Sequence, residues 1–362
     1  MKILQVINNM SVGGAQKFVL DYIPELLNRN HVVDIILLEN IDSPFFKILE
    51  KYNVKLYKLY SNTVYNPLLI FKILKLLNNY DIVHVHLFPS LYWVGLAKIF
   101  IKKAPVFIYT EHNTENRRRF FCFFKCVDKF VYRQFDKIVT VSDEATVQLV
   151  KYLGTEFKME CIYNGINIKT YLSALSSDKR SMFNLDSATV LLLMVAGFRK
   201  AKDQNTIIYA MNKLPDNYHL ILVGDGERRK ISESLIASLN LSQRVHMLGV
   251  RNDIPQILKT VDIVIMSSYY EGLSLSSIEG MCVGKPFVAS DVHGLHEIVF
   301  GAGVLFPRGD SDKLAEEVLK LTSNSKYYNE VAAKCFARAK CFDLGKTVDL
   351  YENVYYSLLN RG

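Results

Sequence analysis

Two glutamates stand eight residues apart in the segment Tyr270 to Pro286, YEGLSLSSIEGMCVGKP. Glu271 precedes an expected helix whose N-cap would be Ser276, with Ile278 and Glu279 in its first turn, Gly284 past its end and Pro286 stopping it. Both carboxylates and the free N–H groups of the helix start then point to one place. Carboxylates accept hydrogen bonds from vicinal hydroxyls and a helix N-terminus attracts phosphate, a combination that suits a nucleotide sugar. A spacing of eight is common by chance, so context must lift this pair.

Context comes from cations. Arg199, Lys200 and Lys202, in AGFRKAKDQ, follow a buried-strand run at its C-terminal end, where a diphosphate's negative charge is naturally received. The alternative for these three is a solvated loop. Gly13-Gly14 also stands between a strand and a helix and lets backbone approach an anionic or sugar group; the alternative is a tight turn needing glycine for backbone freedom alone. The dinucleotide fingerprint is not met at Val12 to Ala15, and Gly224-Asp225-Gly226 has Arg229 where a third glycine would fall, which argues against a nicotinamide enzyme. Asp225 reads as structural.

No metal site is expected. No D-x-D triplet stands in a metal-binding context, and Cys122, Cys126, Cys161, Cys282, Cys335 and Cys341 form no C-x2-C pair. His84 and His86 alternate with Val83 and Val85 at a strand end; one is expected in the core and the other toward a cleft. His293 and His296 lie in a loop and are not expected to be catalytic.

The elements that position these residues are legible in the apolar pattern. Short Val/Ile/Leu runs alternate with helix-period segments, as in parallel sheets with crossover helices. Strands are expected at Lys2 to Ile7, Val32 to Leu38, Ile82 to His86, Val106 to Thr110 and Lys137 to Val141, then at Thr189 to Val195, His219 to Val223, Arg244 to Leu248, Ile263 to Ser267 and Pro286 to Ser290. The fold class is therefore α/β, two tandem Rossmann-like doubly wound domains, residues 1–170 and 171–346, expected to face a central cleft. Tyr171 to Ser187 reads as a linker, and the closing helix within residues 347–362 as packing back on the first domain.

Composition agrees. Of 362 residues 50% are hydrophobic and 22% charged, which excludes a disordered chain, and sparse cysteine excludes a disulfide scaffold and fits a reduced, intracellular compartment. MKILQVI reads as a buried strand, not a signal peptide, and Leu87 to Ile101 is too short and too interrupted to span a bilayer. The net charge of +8 is uneven: residues 1–170 hold 22 basic and 15 acidic side chains. Lys98 to Lys137 carries ten of the basic and four of the acidic ones, interleaved with phenylalanines. Around Arg117 to Phe121 this reads either as a solvated basic helix or as a surface docking on anionic lipid headgroups; nucleic acid is not an expected partner.

The second half resembles the donor domain of the GT-B-fold glycosyltransferases of family 4, through AGFRKAKD, LVGDGE, RVHMLGVRNDIP, EGLSLSSIEGMCVGKPFVASDVHGLHEIV and LFPRGD. The first half adds VGGAQK, Thr110-Glu111-His112-Asn113, VSDE and Asn164-Gly165-Ile166-Asn167, so the likeness covers about 300 residues. The resemblance implies that Glu271 holds donor-sugar hydroxyls, Glu279 the ribose hydroxyls, and the backbone at Leu273 and Ser274 the diphosphate, within a donor-binding stretch running from Gly272 to Leu275. Lys202 matches the family's phosphate-binding lysine and His112 the histidine beside the transferred sugar. Gly197 stands where most members have arginine, and Arg199 is expected to supply that charge; Arg251 lies in the loop that contacts the base. Gly13 and Gly14 join the donor-binding set.

The same resemblance implies a retaining, metal-independent hexosyltransferase needing no cofactor. It would use a nucleotide-diphosphate sugar, a UDP-sugar first among them, and a glycan or lipid-linked acceptor in cell-surface polysaccharide synthesis, in the cytoplasm or peripherally on its membrane face. The alternatives are a nucleotide-sugar epimerase of the same fold and a catalytically silent sugar-nucleotide binding protein.

Overall fold

The computed structural model describes residues 1–59, 63–101, 105–112, 117–154, 157 and 159–360. It divides into two units, Met1–Gly165 with Leu344–Gly362, and Ile166–Asp343.

The first unit is built on a seven-stranded sheet. Its strands are β1 (Lys2–Ile7), β2 (Val32–Leu37), β3 (Lys55–Lys58), β4 (Ile82–His86), β5 (Val106–Glu111), β6 (Lys137–Thr140) and β7 (Met159–Cys161), in the order β3-β2-β1-β4-β5-β6-β7 with every pair parallel. Parallel strands need crossover helices, which cover both faces and leave β1 and β4 buried along nearly their whole length, polar Gln5, His84 and His86 included. Leu4, Val6, Val83, Val85, Phe107 and Tyr109 form part of its core.

The second unit has six parallel strands: β8 (Val190–Val195), β9 (Tyr218–Val223), β10 (Val245–Gly249), β11 (Ile263–Met266), β12 (Phe287–Ser290) and β13 (Val304–Phe306), in the order β10-β9-β8-β11-β12-β13. Each sheet thus reverses its winding once, between β1 and β4 and between β8 and β11. Outside the carboxyl ends of the strands flanking such a reversal, two loops diverge to opposite faces and leave room for a ligand.

Three strands lie outside the sequence expectation, and all three are short edge strands: β3, β7 and β13. Lys-Leu-Tyr-Lys and Met-Glu-Cys are half-exposed and carry no apolar run. The expected linker Tyr171 to Ser187 contains structure too: helix Ile168–Leu172 runs into it and helix Lys179–Phe183 lies inside it, each too short to set a period.

The closing helix Leu344–Leu359 belongs to the first unit, where it packs on helix Gly14–Asn28. Tyr355 and Tyr22 hydroxyls are 2.9 Å apart in the interior, and Arg29 reaches Asp349 at 2.5 Å and the Gly345 carbonyl at 2.9 Å. No described helix is long and apolar enough to cross a membrane.

Candidate functional site

In the second unit, the loop after β8 and the loop after β11 flank the reversal of the sheet, and they carry Lys202 and Glu271. The Lys202 ammonium stands 2.5 and 2.6 Å from the two Glu271 carboxylate oxygens. Ser268 Oγ donates to Glu271 Oε1 at 2.7 Å, so the carboxylate is held from two sides. The Glu271 side chain is only 8% exposed. Backbone joins the loops as well: Tyr269 N donates to Ala201 O at 2.8 Å, and Ser267 Oγ to Asp203 O at 2.8 Å. The sequence named Lys202 and Glu271, which the fold brings together, but not Ser267 and Ser268, two adjacent serines at a strand end with no motif to mark them.

The backing of Glu271 comes from the loop after β12. Glu271 N donates to His293 O at 3.3 Å. Gly294 has φ +83°, and a Cβ built there would stand 2.3 Å from the Glu271 carbonyl oxygen and 2.2 Å from that of Gly272. Only glycine fits. Its N–H donates to Glu297 Oε2 at 2.6 Å, while His293 Nδ1 lies 2.6 Å from Glu297 Oε1 and His296 Nδ1 2.6 Å from Asp291 Oδ1. Both loop histidines therefore contact carboxylates of the loop itself.

Helix Leu275–Met281 starts two residues earlier than expected: Ser274, not Ser276, is its N-cap. Ser277 N donates to Ser274 O at 3.1 Å, which places Leu275 at the first helical position and leaves its amide without an intrahelical acceptor. Gly272 and Leu273 lie in the loop between Glu271 and this cap, and Glu279, 9% exposed, sits in the second turn rather than the first.

Arg199 is exposed and makes no ion pair among the described residues. Its Nε lies 3.9 Å from where a Cβ on Gly197 would be, so the guanidinium stem folds back over the position that lacks a side chain. Arg251 is occupied elsewhere, donating from Nε and Nη2 to Asp253 at 2.8 and 2.6 Å. The Asp253 carboxyl is held below the usual carboxylate range by that arginine. Asp225 Oδ1 accepts from Gly226 N at 2.7 Å and shapes its own turn.

The remaining sequence-derived residues belong to the first unit. Helix Gly14–Asn28 opens after Gly13, whose φ of −169° is ordinary extended backbone. Nothing lies within 4 Å of a Cβ built on Gly14. Neither glycine is demanded by the fold; at Gly14 the missing side chain leaves the helix start open.

His112 follows β5, with Nε2 3.0 Å from His86 Nδ1 and Nδ1 3.4 Å from Asn164 Nδ2. Burial pushes its pKa down to about 3. Asn113 lies outside the described residues. The expectation that His84 and His86 face different ways fails, because residues two apart on a strand share a face. Both are fully buried, their rings 4.2 Å apart.

The basic stretch is not a uniformly charged surface. Arg118, 7% exposed, pairs with Asp128 at 3.2 Å and lies over the Phe88 ring at 4.3 Å; Arg119 reaches Glu111 at 2.5 Å. Lys98 pairs with Asp136 and Lys137 with Glu160. Lys102, Lys103 and the Arg117 side chain lie outside the described residues. What the stretch does expose is aromatic: Phe100, Phe121, Phe123 and Phe130 are half exposed or more, Phe123 by 76%.

Two family models cover most of the chain. Glycosyl transferases group 1 matches residues 177–337 and Glycosyltransferase Family 4 matches residues 12–170. N-acetyl-alpha-D-glucosaminyl L-malate synthase of Bacillus anthracis is 23% identical over 299 residues, 78% of this chain and 76% of that protein. UDP-Gal:alpha-D-GlcNAc-diphosphoundecaprenol alpha-1,3-galactosyltransferase of Escherichia coli is 25% identical over 309 residues, 80% of this chain and 78% of that protein. The crystal structure of Anabaena HepE in complex with UDP-glucose superposes with a TM-score of 0.86 at 24% identity, covering 99% of this chain and 100% of that one. At that identity the likeness establishes the fold.

Proposed function

Because the chain belongs to the group 1 glycosyltransferases of the GT-B fold, we propose that it moves a sugar from a nucleotide-diphosphate sugar to a glycan or lipid-linked acceptor in cell-surface polysaccharide synthesis. The observation that carries this reading is the Lys202–Glu271 pair at the reversal of the second sheet, a cation and a carboxylate set where such sheets receive ligands. The arriving diphosphate takes its share of Lys202, and the released Glu271 oxygens accept hydrogen bonds from sugar hydroxyls. Arg199, folded over Gly197, adds the charge that position lacks, and the amides from Gly272 to Leu275 meet the diphosphate oxygens. Glu279 holds the ribose, Arg251 contacts the base once released from Asp253, and Gly13 and Gly14 give the donor room. His112 meets the transferred sugar. A UDP-sugar is the preferred donor, by analogy with HepE and the Escherichia coli relative.

The chemistry is retaining. The bond from the anomeric carbon to the phosphate oxygen breaks, the acceptor hydroxyl attacks from the same face, and its proton passes to the departing phosphate. Lys202, Arg199 and backbone N–H groups stabilise the leaving charge, so no metal is needed. The protein works at the cytoplasmic membrane face, reached through the exposed phenylalanines between Phe100 and Phe130.

Incubation with a panel of radiolabelled nucleotide sugars tests the reading. Transfer or slow hydrolysis with retained configuration supports it, an epimeric product would make the protein an epimerase, and binding without turnover would make it a silent binder. Turnover that persists in EDTA and is not raised by magnesium or manganese supports metal independence.

A further inference from the structure

Behind His112 runs a chain of four polar side chains drawn from separate elements of the first unit. Gln5 on β1 faces His86 on β4, with Gln5 Oε1 2.8 Å from His86 Nε2. His86 Nδ1 then meets His112 Nε2 at 3.0 Å, and His112 Nδ1 meets Asn164 Nδ2 at 3.4 Å. Gln5 and His86 are wholly buried and Asn164 is 4% exposed. Adjacency of β1, β4 and β5 in the sheet is what aligns the first three.

Burial keeps both imidazoles uncharged, so each ring carries one N–H. With the Gln5 oxygen accepting, the His86 proton sits on Nε2 and its Nδ1 is a lone pair. His112 must then donate from Nε2, which leaves its own Nδ1 as an acceptor. Among the described residues, Asn164 Oδ1 has no hydrogen-bond partner, so two acceptors end the chain, and the contact from Asn164 Nδ2 is long enough to yield to a better donor.

We propose that His86, clamped by Gln5, is the positioning residue that fixes His112 as its Nε2–H tautomer and so keeps Nδ1 available to a substrate hydroxyl. This deepens the reading of His112 as the histidine beside the transferred sugar and rests on it. His112 acts here as a hydrogen-bond acceptor rather than a general base. Among the described residues no carboxylate is hydrogen-bonded to His84, His86 or His112 to offset the burial that lowers the His112 pKa to about 3, and a general base works best with its pKa near the working pH.

The side chains that touch the chain carry no charge, although Glu352 on the closing helix acts on Tyr22 and Tyr355 from beyond them. Phe18 lies against the His86 and His112 rings, and His84, next to His86, is held by Tyr355 at 2.7 Å and Thr110 at 2.7 Å, with Tyr351 reaching Thr110 and Tyr22 reaching Tyr355. Burial raises the pKa of all three tyrosines. The closing helix therefore seals the chain with neutral side chains.

The test uses full-length protein labelled with 15N-histidine. Long-range proton–nitrogen correlation should show His86 and His112 both protonated on Nε2 and both neutral at pH 5, with the His112 Nε2 proton protected from exchange. His86→Leu removes the acceptor: that protection should vanish and kcat should fall about tenfold to a hundredfold with the donor KM changed by less than about threefold. His86→Asn puts a carbonyl oxygen where Nδ1 was and should restore both protection and most of kcat, whereas a merely structural role would not be rescued this way. Thermal melting confirms that each variant is folded. His112 protonated on Nδ1 in the unaltered protein would overturn the proposal, as would an unchanged kcat in His86→Leu alongside a collapse in His112→Ala. An unchanged rate in His112→Ala overturns instead the reading of His112 on which the proposal rests, while the tautomer measurement, made without substrate, decides the hydrogen-bond chain by itself.

Discussion

Lys202 grips both carboxylate oxygens of Glu271, at 2.5 and 2.6 Å, across 69 residues of sequence. Each is placed by its own strand, β8 or β11, and the two strands are neighbours only because the sheet reverses between them. Replacing Glu271 by Ala should lower turnover by a factor of about a hundred or more, because sugar hydroxyls lose their acceptor and Lys202 loses its counter-charge. Lys202→Ala should weaken donor binding as well as turnover. Steady-state kinetics with the active nucleotide sugar measure both, and a Glu271→Ala enzyme of normal rate would remove that residue from the site.

Gly294 tests the support behind Glu271. A methyl group there would meet two carbonyl oxygens at 2.2 and 2.3 Å, at a backbone φ of +83°. Gly294→Ala should cost about 1–3 kcal/mol of stability and, by pushing the 271–272 backbone, reduce kcat more than the lost stability explains. Urea titration and kinetics on the same preparation separate the two effects.

Acid should destabilise the first unit through its buried histidines. His84, His86 and His112 all have folded pKa values lowered by burial, His112 to about 3, whereas an unfolded chain protonates them near 6.5. Below 6.5 the unfolded state thus binds protons the folded state refuses, so stability is full above that value and declines as pH falls toward the folded values. The unfolding midpoint should drop between pH 7 and pH 5, with up to three protons taken up from this cluster, and His86→Asn should make the slope shallower by about one proton. A midpoint that does not move over that range would contradict the buried, neutral placement.

Membrane docking is best probed away from the arginines. Arg118→Glu would set a carboxylate against Asp128 in an interior that already holds that charge, and should cost about 3–5 kcal/mol whether or not lipid is present. Phe123→Ser with Phe130→Ser alters exposed rings only, so the melting temperature should hold. Sedimentation with vesicles containing about a third anionic lipid should fall severalfold in the double variant. Equal sedimentation of both proteins would show that these rings do not dock.

Sequence alone determined the α/β class, ten of the thirteen strands among the described residues and the residues on which the site reading rests, since Val/Ile/Leu runs, glycine turns and motif spacing are local signals carried by consecutive residues. The edge strands β3 and β7 were illegible because they carry no apolar run, β13 because its Val-Leu-Phe is only three residues long, and Ser274 displaced Ser276 as N-cap because a cap is set by backbone direction, which either serine permits. Only the tertiary structure decided which charges are free. Arg118 and Arg119 count as surface cations in composition yet are buried against Asp128 and Glu111, and His86 acquires its role only when β1, β4 and β5 lie side by side. Pairing across the sheet joins residues distant in the chain, and no periodicity within a segment records which distant segment it will meet.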